Sequence, residues 1–316
     1  MNGAEGEAGR LKGLIEARLA GFLPDDGANS RALREAMLYT LGAPGKRIRP
    51  LLLLLACKAV RGSEEDAMPY ACAVEFIHNY SLIHDDLPAM DDDELRRGEP
   101  TNHVVFGEAM AILAGDGLLS AAFELMHEDY MLHLDDLEAL GRRVRAGMAI
   151  AAGCGRRGMV AGQAADIGAE GKAEGHAEGK ADGKELSAGL LEFIHLNKTA
   201  ALLRAAVEAG AEIGGAGPET VRALSLYGEN LGLAFQIVDD ILDCEGETAV
   251  IGKTAGKDAE AKKLTYPGVY GALASRERLA ELTEKAVDAL EGAADTDAFY
   301  IGILADMARG LAVRGK

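Results

Sequence analysis

Apolar residues recur at i, i+3 and i+4 along most of the chain, and no stretch alternates strictly between apolar and polar positions. That periodicity predicts helices over 9–21, 30–41, 47–61, 64–86, 105–130, 135–153, 187–213, 218–244, 276–291 and 297–311. Ala, Leu, Glu and Arg dominate these stretches, and they are among the residues that enter a helix at least cost. Several stretches, notably Ala109 to Met126, are apolar nearly all round and are expected to be buried on every side. The fold class predicted is all-α, a bundle of about ten or more mostly antiparallel helices around a central element.

One segment breaks the pattern. From Gly168 to Lys184 the chain repeats with a period of four and places glycine at 171, 175, 179 and 183. Each such Gly costs a helix about 1 kcal/mol relative to Ala, with nothing apolar to bury in return. The segment therefore reads as a flexible Gly-rich surface insertion. With 8 prolines and no linker-like tract, residues 1–316 are expected to form a single domain.

The formal charge of 33 − 51 = −18 argues against a nucleic-acid partner, which needs a basic face. It leaves room for phosphorylated substrates, which local basic clusters recognise. Cys57, Cys72, Cys154 and Cys244 have no paired spacing and fall in apolar helical contexts, as buried thiols of a reducing cytosol would. Residues 1–20 carry Glu5 and Glu7 and no apolar core, so no secretion signal is expected. The longest apolar run, Pro50 to Cys57, is far short of the ~20 residues of a membrane span. The expected location is cytoplasmic, without membrane insertion.

Candidate chemistry is concentrated in the stretch Ser81-Leu-Ile-His-Asp-Asp-Leu-Pro-Ala-Met-Asp-Asp-Asp-Glu-Leu-Arg-Arg-Gly98. Its acids are interleaved with Leu87, Pro88, Ala89 and Met90, residues that belong against a wall, so the stretch reads as the mouth of a pocket. Crowded carboxylates beside apolar surface require cations among them. Oxygen-only ligands with no Cys nearby point to Mg²⁺, which keeps waters and shares substrate phosphates. Arg96 and Arg97 then suit phosphate clamps, because a guanidinium fork matches phosphate oxygens. Taken alone, the cluster fits an acidic surface loop equally well.

A second acidic motif changes that balance. Gly232-Leu-Ala-Phe-Gln-Ile-Val-Asp-Asp-Ile-Leu-Asp243 places Asp239 and Asp243 on one helical face about 6 Å apart, with Asp240 alongside. Three acids inside an otherwise apolar helix are rarely structural. In the first motif the position four after Asp85 is Ala89, and the third acid, Asp91, comes two residues later. Pro88 cannot donate to the carbonyl of His84, so the helix is expected to kink or bulge there and loop two residues out.

Cationic motifs accompany the acids. Gly45-Lys-Arg-Ile-Arg-Pro50 sits at a predicted helix start, where backbone N–H groups favour an anion; a solvated basic turn is the bland alternative. His195-Leu-Asn-Lys-Thr199 puts a cation and a hydroxyl in an apolar helical stretch. Lys198 would be costly to bury there without a partner such as a diphosphate. Gly158-Met-Val-Ala-Gly-Gln-Ala-Ala-Asp166 is rich in small residues that suit tight helix approach, and no chemistry is assigned to Gln163 or Asp166.

Together the motifs Asp-Asp-x4-Asp and Asp-Asp-x2-Asp closely resemble the two aspartate-rich motifs of the trans-isoprenyl diphosphate synthases. The Leu-Pro insertion and trailing Arg-Arg-Gly resemble the short-chain bacterial branch, above all bacterial-type farnesyl diphosphate synthase. The resemblance spans roughly residues 10–311 and implies the isoprenoid synthase fold, helices around a deep central cavity. It departs at 168–184, where the family has a shorter and less repetitive connection.

By this resemblance, three Mg²⁺ ions, with Mn²⁺ as substitute, bind Asp85, Asp86, Asp91, Asp239, Asp240 and Asp243. Isopentenyl diphosphate is held by Gly45, Lys46, Arg49, His78 and Arg97. The departing allylic diphosphate meets Arg96, Lys198, Thr199, Gln236 and Lys253 of a lysine loop, Gly252-Lys-Thr-Ala-Gly-Lys-Asp258, in which the role of Lys257 is not separable from loop solvation. Asp85, Asp86, Asp91 and these five residues form the implied catalytic set. They stabilise charge on the leaving group so that the allylic C–O bond ionises, and apolar walls shield the cation from water. The isopentenyl double bond attacks head to tail, and a proton is lost to the released diphosphate.

Tyr80, with the small Ser81, is the implied chain-length determinant, since an aromatic at that position typically stops growth at fifteen carbons. Helix geometry alone does not make it the floor, because a straight helix points Tyr80 roughly 140° away from Asp85. The activity implied is farnesyl diphosphate synthesis from isopentenyl, dimethylallyl and geranyl diphosphates by a homodimer. The rival is a geranylgeranyl diphosphate synthase. A class I terpene cyclase would normally carry an Asn/Ser/Glu triad in place of the second motif, and a non-catalytic partner subunit tends to lose one motif.

Overall fold

The structure, a computed structural model, describes residues 3–25, 27–169, 181–245 and 264–314. The described chain is all-α as expected, and its only strands are β1, Leu95–Arg96, and β2, Glu99–Pro100. It gathers into two compact units, one from Met1–Met148, Ala209–Ala216 and Asp297–Tyr300, the other from Ala149–Glu208, Gly217–Thr296 and Ile301–Lys316.

The first unit contains α1 (Gly3–Leu19), α2 (Arg31–Leu41), α3 (Ile48–Ala59), α4 (Glu64–Asp85), α5 (Asn102–Phe106), α6 (Glu108–Met131) and most of α7 (Leu137–Cys154). Its core is the leucine run of α3, in which Leu52 to Leu55 are fully buried, set against α4. The start of α4 is well specified. The Ser63 side chain accepts from Asp66 N at 3.4 Å, and Glu64, Glu65 and Asp66 complement the positive end of the helix dipole. Farther along, Asp129 of α6 accepts from Tyr70 Oη and from Arg143 Nε of α7, both at 2.9 Å, and Arg143 reaches back to Asp66 at 2.9 Å. The buried part of this network, Tyr70, Asp129 and Arg143, pins α4, α6 and α7 in one register, since leaving any of those three without partners would be costly.

The second unit holds α8 (Met159–Ala169), α9 (Ala181–Ile194), a π-helical turn over His195–Ala200, α10 from Ala201, α11 (Pro218–Glu245), α12 (Tyr266–Tyr270), α13 (Ala272–Glu291) and most of α14 (Ala298–Arg314). The long α11 packs along α13 and against the π turn, which also receives α8. Tyr227 of α11 is fully buried and donates to Leu304 O at 2.7 Å.

Several expectations are corrected. The predicted helix over 105–130 is two helices that meet at Gly107, where φ is +85°. The predicted helix over 187–213 starts at Ala181 and carries the π turn. The short β pair, α8 and α12 lie outside every predicted helix. Of the Gly-rich repeat, 170–180 lies outside the described residues, whereas Ala181 to Lys184 are helical. Cys244 is exposed; Cys57, Cys72 and Cys154 are buried, and none of the four forms a disulfide. Burial pushes the Cys57 thiol up to about 12 and that of Cys154 to about 11, which keeps both protonated and unreactive.

Helix α6 departs most from expectation. It is buried along one face, Ala111, Ala114, Leu118, Ala122 and Leu125, whereas Ile112 and Leu113 are 45% and 53% exposed. Among the described residues it is also the one helix long and apolar enough to cross a membrane. Its packing along α2, α4 and α5 gives the same composition a use in a core.

Candidate active site

The first aspartate motif is shaped by the end of α4. The helix stops at Asp85 instead of kinking and continuing: Leu87 N donates to His84 O, and the chain folds back so that Asp91 N donates to Asp85 O at 2.8 Å. Leu-Pro does loop out as expected, but in a turn beyond the helix. The return brings the backbone of Asp91 against Asp85, and both residues are half-buried.

Asp86 is only 2% exposed and is gripped by Arg96, whose Nε lies 2.8 and 2.9 Å from its two oxygens and whose Nη2 lies 2.5 Å from Oδ1. This bidentate pair fixes the motif to the β1–β2 hairpin. The hairpin turns on Arg97 and Gly98, with φ of +56° and +84°, the positive values a two-residue type I′ turn requires. It sends neighbouring arginines to different partners. Arg96 goes to Asp86, and Arg97 donates to Pro44 O at 2.6 Å, at the basic loop before α3.

That loop is where Lys46, exposed, and Arg49, half-buried, are presented. Arg97 lies so close to Gly45 that an added Cβ would sit 2.8 Å from its Nη1. His78 of α4 belongs to the same cluster. Burial and the positive charges of Arg49, Arg97, Arg96 and Arg47 push its imidazole well below the usual range, and burial followed by Arg47 lowers Arg97. A cluster of cations held at such mutual cost suits an anion.

The second motif is organised around Asp240. This carboxylate, 4% exposed, accepts from Gln236 Nε2 at 3.0 Å on one oxygen and from Tyr266 N at 2.7 Å on the other, with His195 Nε2 at 3.2 Å. Gln236 in turn accepts from Thr199 Oγ1 at 2.6 Å. One polar chain thus runs from the π turn to the start of α12. Asp239 is exposed and Asp243 half-buried, one turn apart on α11.

The expected partner of Lys198 was a diphosphate, but the chain supplies its own: Nζ lies 2.5 Å from Asp166 Oδ2 on α8. The small residues of α8 do permit the close approach anticipated, since a Cβ on Gly162 would fall 2.1 Å from Lys198 N. Gly162→Ala is therefore expected to destabilise the fold by about 1–3 kcal/mol. A thermal melt indistinguishable from wild type would contradict that contact.

Each motif thus divides into a more exposed carboxylate pair and a buried carboxylate tied to protein partners. Among the described residues, no group of three or more His, Cys, Asp or Glu is placed to hold a metal unaided. The pairs Asp85 with Asp91 and Asp239 with Asp243 nevertheless suit Mg²⁺, which is typically held by one or two carboxylates plus water and substrate phosphates. Asp86 and Asp240, also predicted as ligands, are in addition held by protein groups: Asp86 by Arg96, and Asp240 by His195, Gln236 and Tyr266. Tyr80 is 7% exposed, edge-on to His84 at 5.7 Å, and Ser81 Oγ donates to His78 O at 2.9 Å. Lys253 and Lys257 lie outside the described residues. Asp166, His195 and Glu75 went unassigned in the sequence, although a lone acid or imidazole in an apolar helix was the available signal.

Comparisons with known proteins show the family. Geranylgeranyl pyrophosphate synthase 12, chloroplastic, of Arabidopsis thaliana is 49% identical over 261 residues, 83% of this chain and 69% of that protein. Farnesyl diphosphate synthase of Geobacillus stearothermophilus is 48% identical over 277 residues, 87% of each. The apo structure of an FPP/GFPP synthase from Zymomonas mobilis superposes with a TM-score of 0.79 at 32% identity, covering 98% of both chains. A geranyltransferase from Legionella pneumophila gives 0.80 at 29% identity, covering 98% of this chain and 97% of that one. The polyprenyl synthetase family model matches residues 30–298, and the chain belongs to that family of prenyltransferases.

Proposed function

We propose that the protein condenses isopentenyl diphosphate head to tail with dimethylallyl and then geranyl diphosphate, giving farnesyl diphosphate as its main product. The observation that carries this reading is the pairing of carboxylates in both aspartate motifs, alongside an arginine-rich cluster around His78 that suits a second diphosphate. Mg²⁺ bound with the substrate phosphates supplies neutralisation of the charge that develops on the leaving diphosphate. Asp85 with Asp91, and separately Asp239 with Asp243, are the residues that would hold it. Lys198, oriented by Asp166, meets the departing group, with Thr199 and Gln236 beside it. Lys46, Arg49, His78 and Arg97 hold isopentenyl diphosphate, and its lost proton goes to the released diphosphate.

A geranylgeranyl product is the second reading, since relatives of nearly equal identity bear that name. Incubation of the pure protein with dimethylallyl and isopentenyl diphosphates and Mg²⁺, followed by sizing of the products, decides between them. Fifteen carbons is the expected result and twenty would select the rival. No incorporation, or full activity in EDTA, would reject the mechanism.

We also propose a homodimer in the cytoplasm. Val105 of α5, Ile112 and Leu113 of α6 and Met148 of α7 are exposed apolar residues in the first unit. A second copy of this chain would cover such a surface by the usual two-fold pairing. Light scattering is expected to give about twice 33.1 kDa, and a stable monomer at micromolar concentration would contradict it. Cysteines that form no disulfide suit the compartment.

A further inference from the structure

The middle cation of the basic loop does not join its neighbours at the surface. Lys46 is exposed and Arg49 half-buried, but Arg47 is 5% exposed and turned into the first unit. Its Nη1 donates to Glu75 Oε1 at 2.7 Å, and its Nη2 donates to Leu41 O and Ala43 O, both at 2.8 Å. Glu75, 2% exposed within the apolar part of α4, also accepts from Asn79 Nδ2 at 3.2 Å. Arg47 has φ +50°, a left-handed conformation that a non-glycine residue keeps only where the surroundings over-determine it. Here one guanidinium grips the end of α2, the following turn and α4 together. It also underlies the loop itself, since a Cβ on Gly45 would lie 3.2 Å from Arg47 Nη1.

We infer that the Arg47–Glu75 pair is a positioning element of the isopentenyl diphosphate site: it fixes the backbone of Gly45 to Arg49, so that Lys46 and Arg49 are presented in one arrangement. The inference rests on the proposed prenyl-transfer reading. Stability alone does not account for the pair, because replacing a buried ion pair by apolar residues of similar volume is often neutral or stabilising. What an apolar pair cannot do is hold two carbonyls and a carboxylate in a fixed relation to the loop.

That difference is the test. The double variant Arg47→Met, Glu75→Leu, made in the full chain, is expected to melt within a few degrees of wild type. Its KM for isopentenyl diphosphate should rise tenfold or more, about 1.4 kcal/mol, while the KM for the allylic substrate moves less than twofold. An unchanged isopentenyl KM in the folded variant, or equal rises for both substrates, overturns the inference while leaving the prenyl-transfer reading intact. Should the double variant not fold, Glu75→Gln, which keeps the shape and one acceptor, is judged by the same ratio of KM changes. A wild type that incorporates no isopentenyl diphosphate overturns the reading and the inference together.

Discussion

Asp239→Ala is expected to lower kcat by about a thousandfold, because the Mg²⁺ ligand proposed above would be lost, and with it several kcal/mol of charge neutralisation, each 1.36 kcal/mol being tenfold in rate. Its neighbour should behave in the opposite way. Asp239 is exposed on α11, and truncating a surface carboxylate usually changes stability by no more than about 0.5 kcal/mol. Asp240 is buried, and its removal strands Gln236 Nε2, Tyr266 N and His195 without their acceptor. Asp240→Ala is therefore expected to cost about 3 kcal/mol or more of folding stability, at about 1–3 kcal/mol for each buried donor left without its acceptor. Steady-state kinetics beside thermal melting separates the two roles. Retained turnover in Asp239→Ala, or a wild-type melt in Asp240→Ala, would reject the division of the motif into ligand and anchor. The same division is expected in the first motif, where Asp86 is held by Arg96 and substitution of Asp85 or Asp91 should lower turnover more than stability.

The second large effect is on product length. Tyr80 lies on α4, five residues before Asp85, and is almost wholly buried with its ring edge-on to His84. His84 is itself fixed, its Nε2 lying 3.0 Å from Ile112 O on α6, where Gly115 leaves room for the imidazole. A ring braced in this way cannot swing aside without disturbing α6. Tyr80→Ala removes it and leaves space the backbone does not readily close. The variant is expected to shift the main product from fifteen carbons to twenty or more. Chromatography of the dephosphorylated products is the readout, and a variant with wild-type product length would show that Tyr80 is not the stop.

Much of this was legible because it depends on spacing. Helical periodicity located α2, α3, α4 and α11 to within a few residues, and the i, i+4 placement of Asp239 and Asp243 follows from helix geometry once the helix is recognised. What escaped depends on backbone states and side-chain directions that spacing does not encode. Arg47 lies between Lys46 and Arg49, three residues of like charge, and only its left-handed φ and its contact with Glu75 distinguish it. Nothing in the identity of Arg97 announces its positive φ. Helix α8 was missed because Gly and Ala give no apolar stripe, although those residues are what let it approach Lys198. The pairing of Lys198 with Asp166 links positions far apart in the chain, and periodicity is blind to such pairs.

The π turn at His195–Ala200 means that part of this site is written in chain length. A helix advances about 100° per residue, so the turn sets the angle between His195, which reaches Asp240, and Thr199, which reaches Gln236. Deleting Leu196 would leave every one of these side chains present, yet swing His195 by about 100° relative to Lys198 and Thr199. A survey of this region by substitution alone would overlook that dependence, whereas a one-residue deletion paired with a one-residue insertion a turn later would expose it.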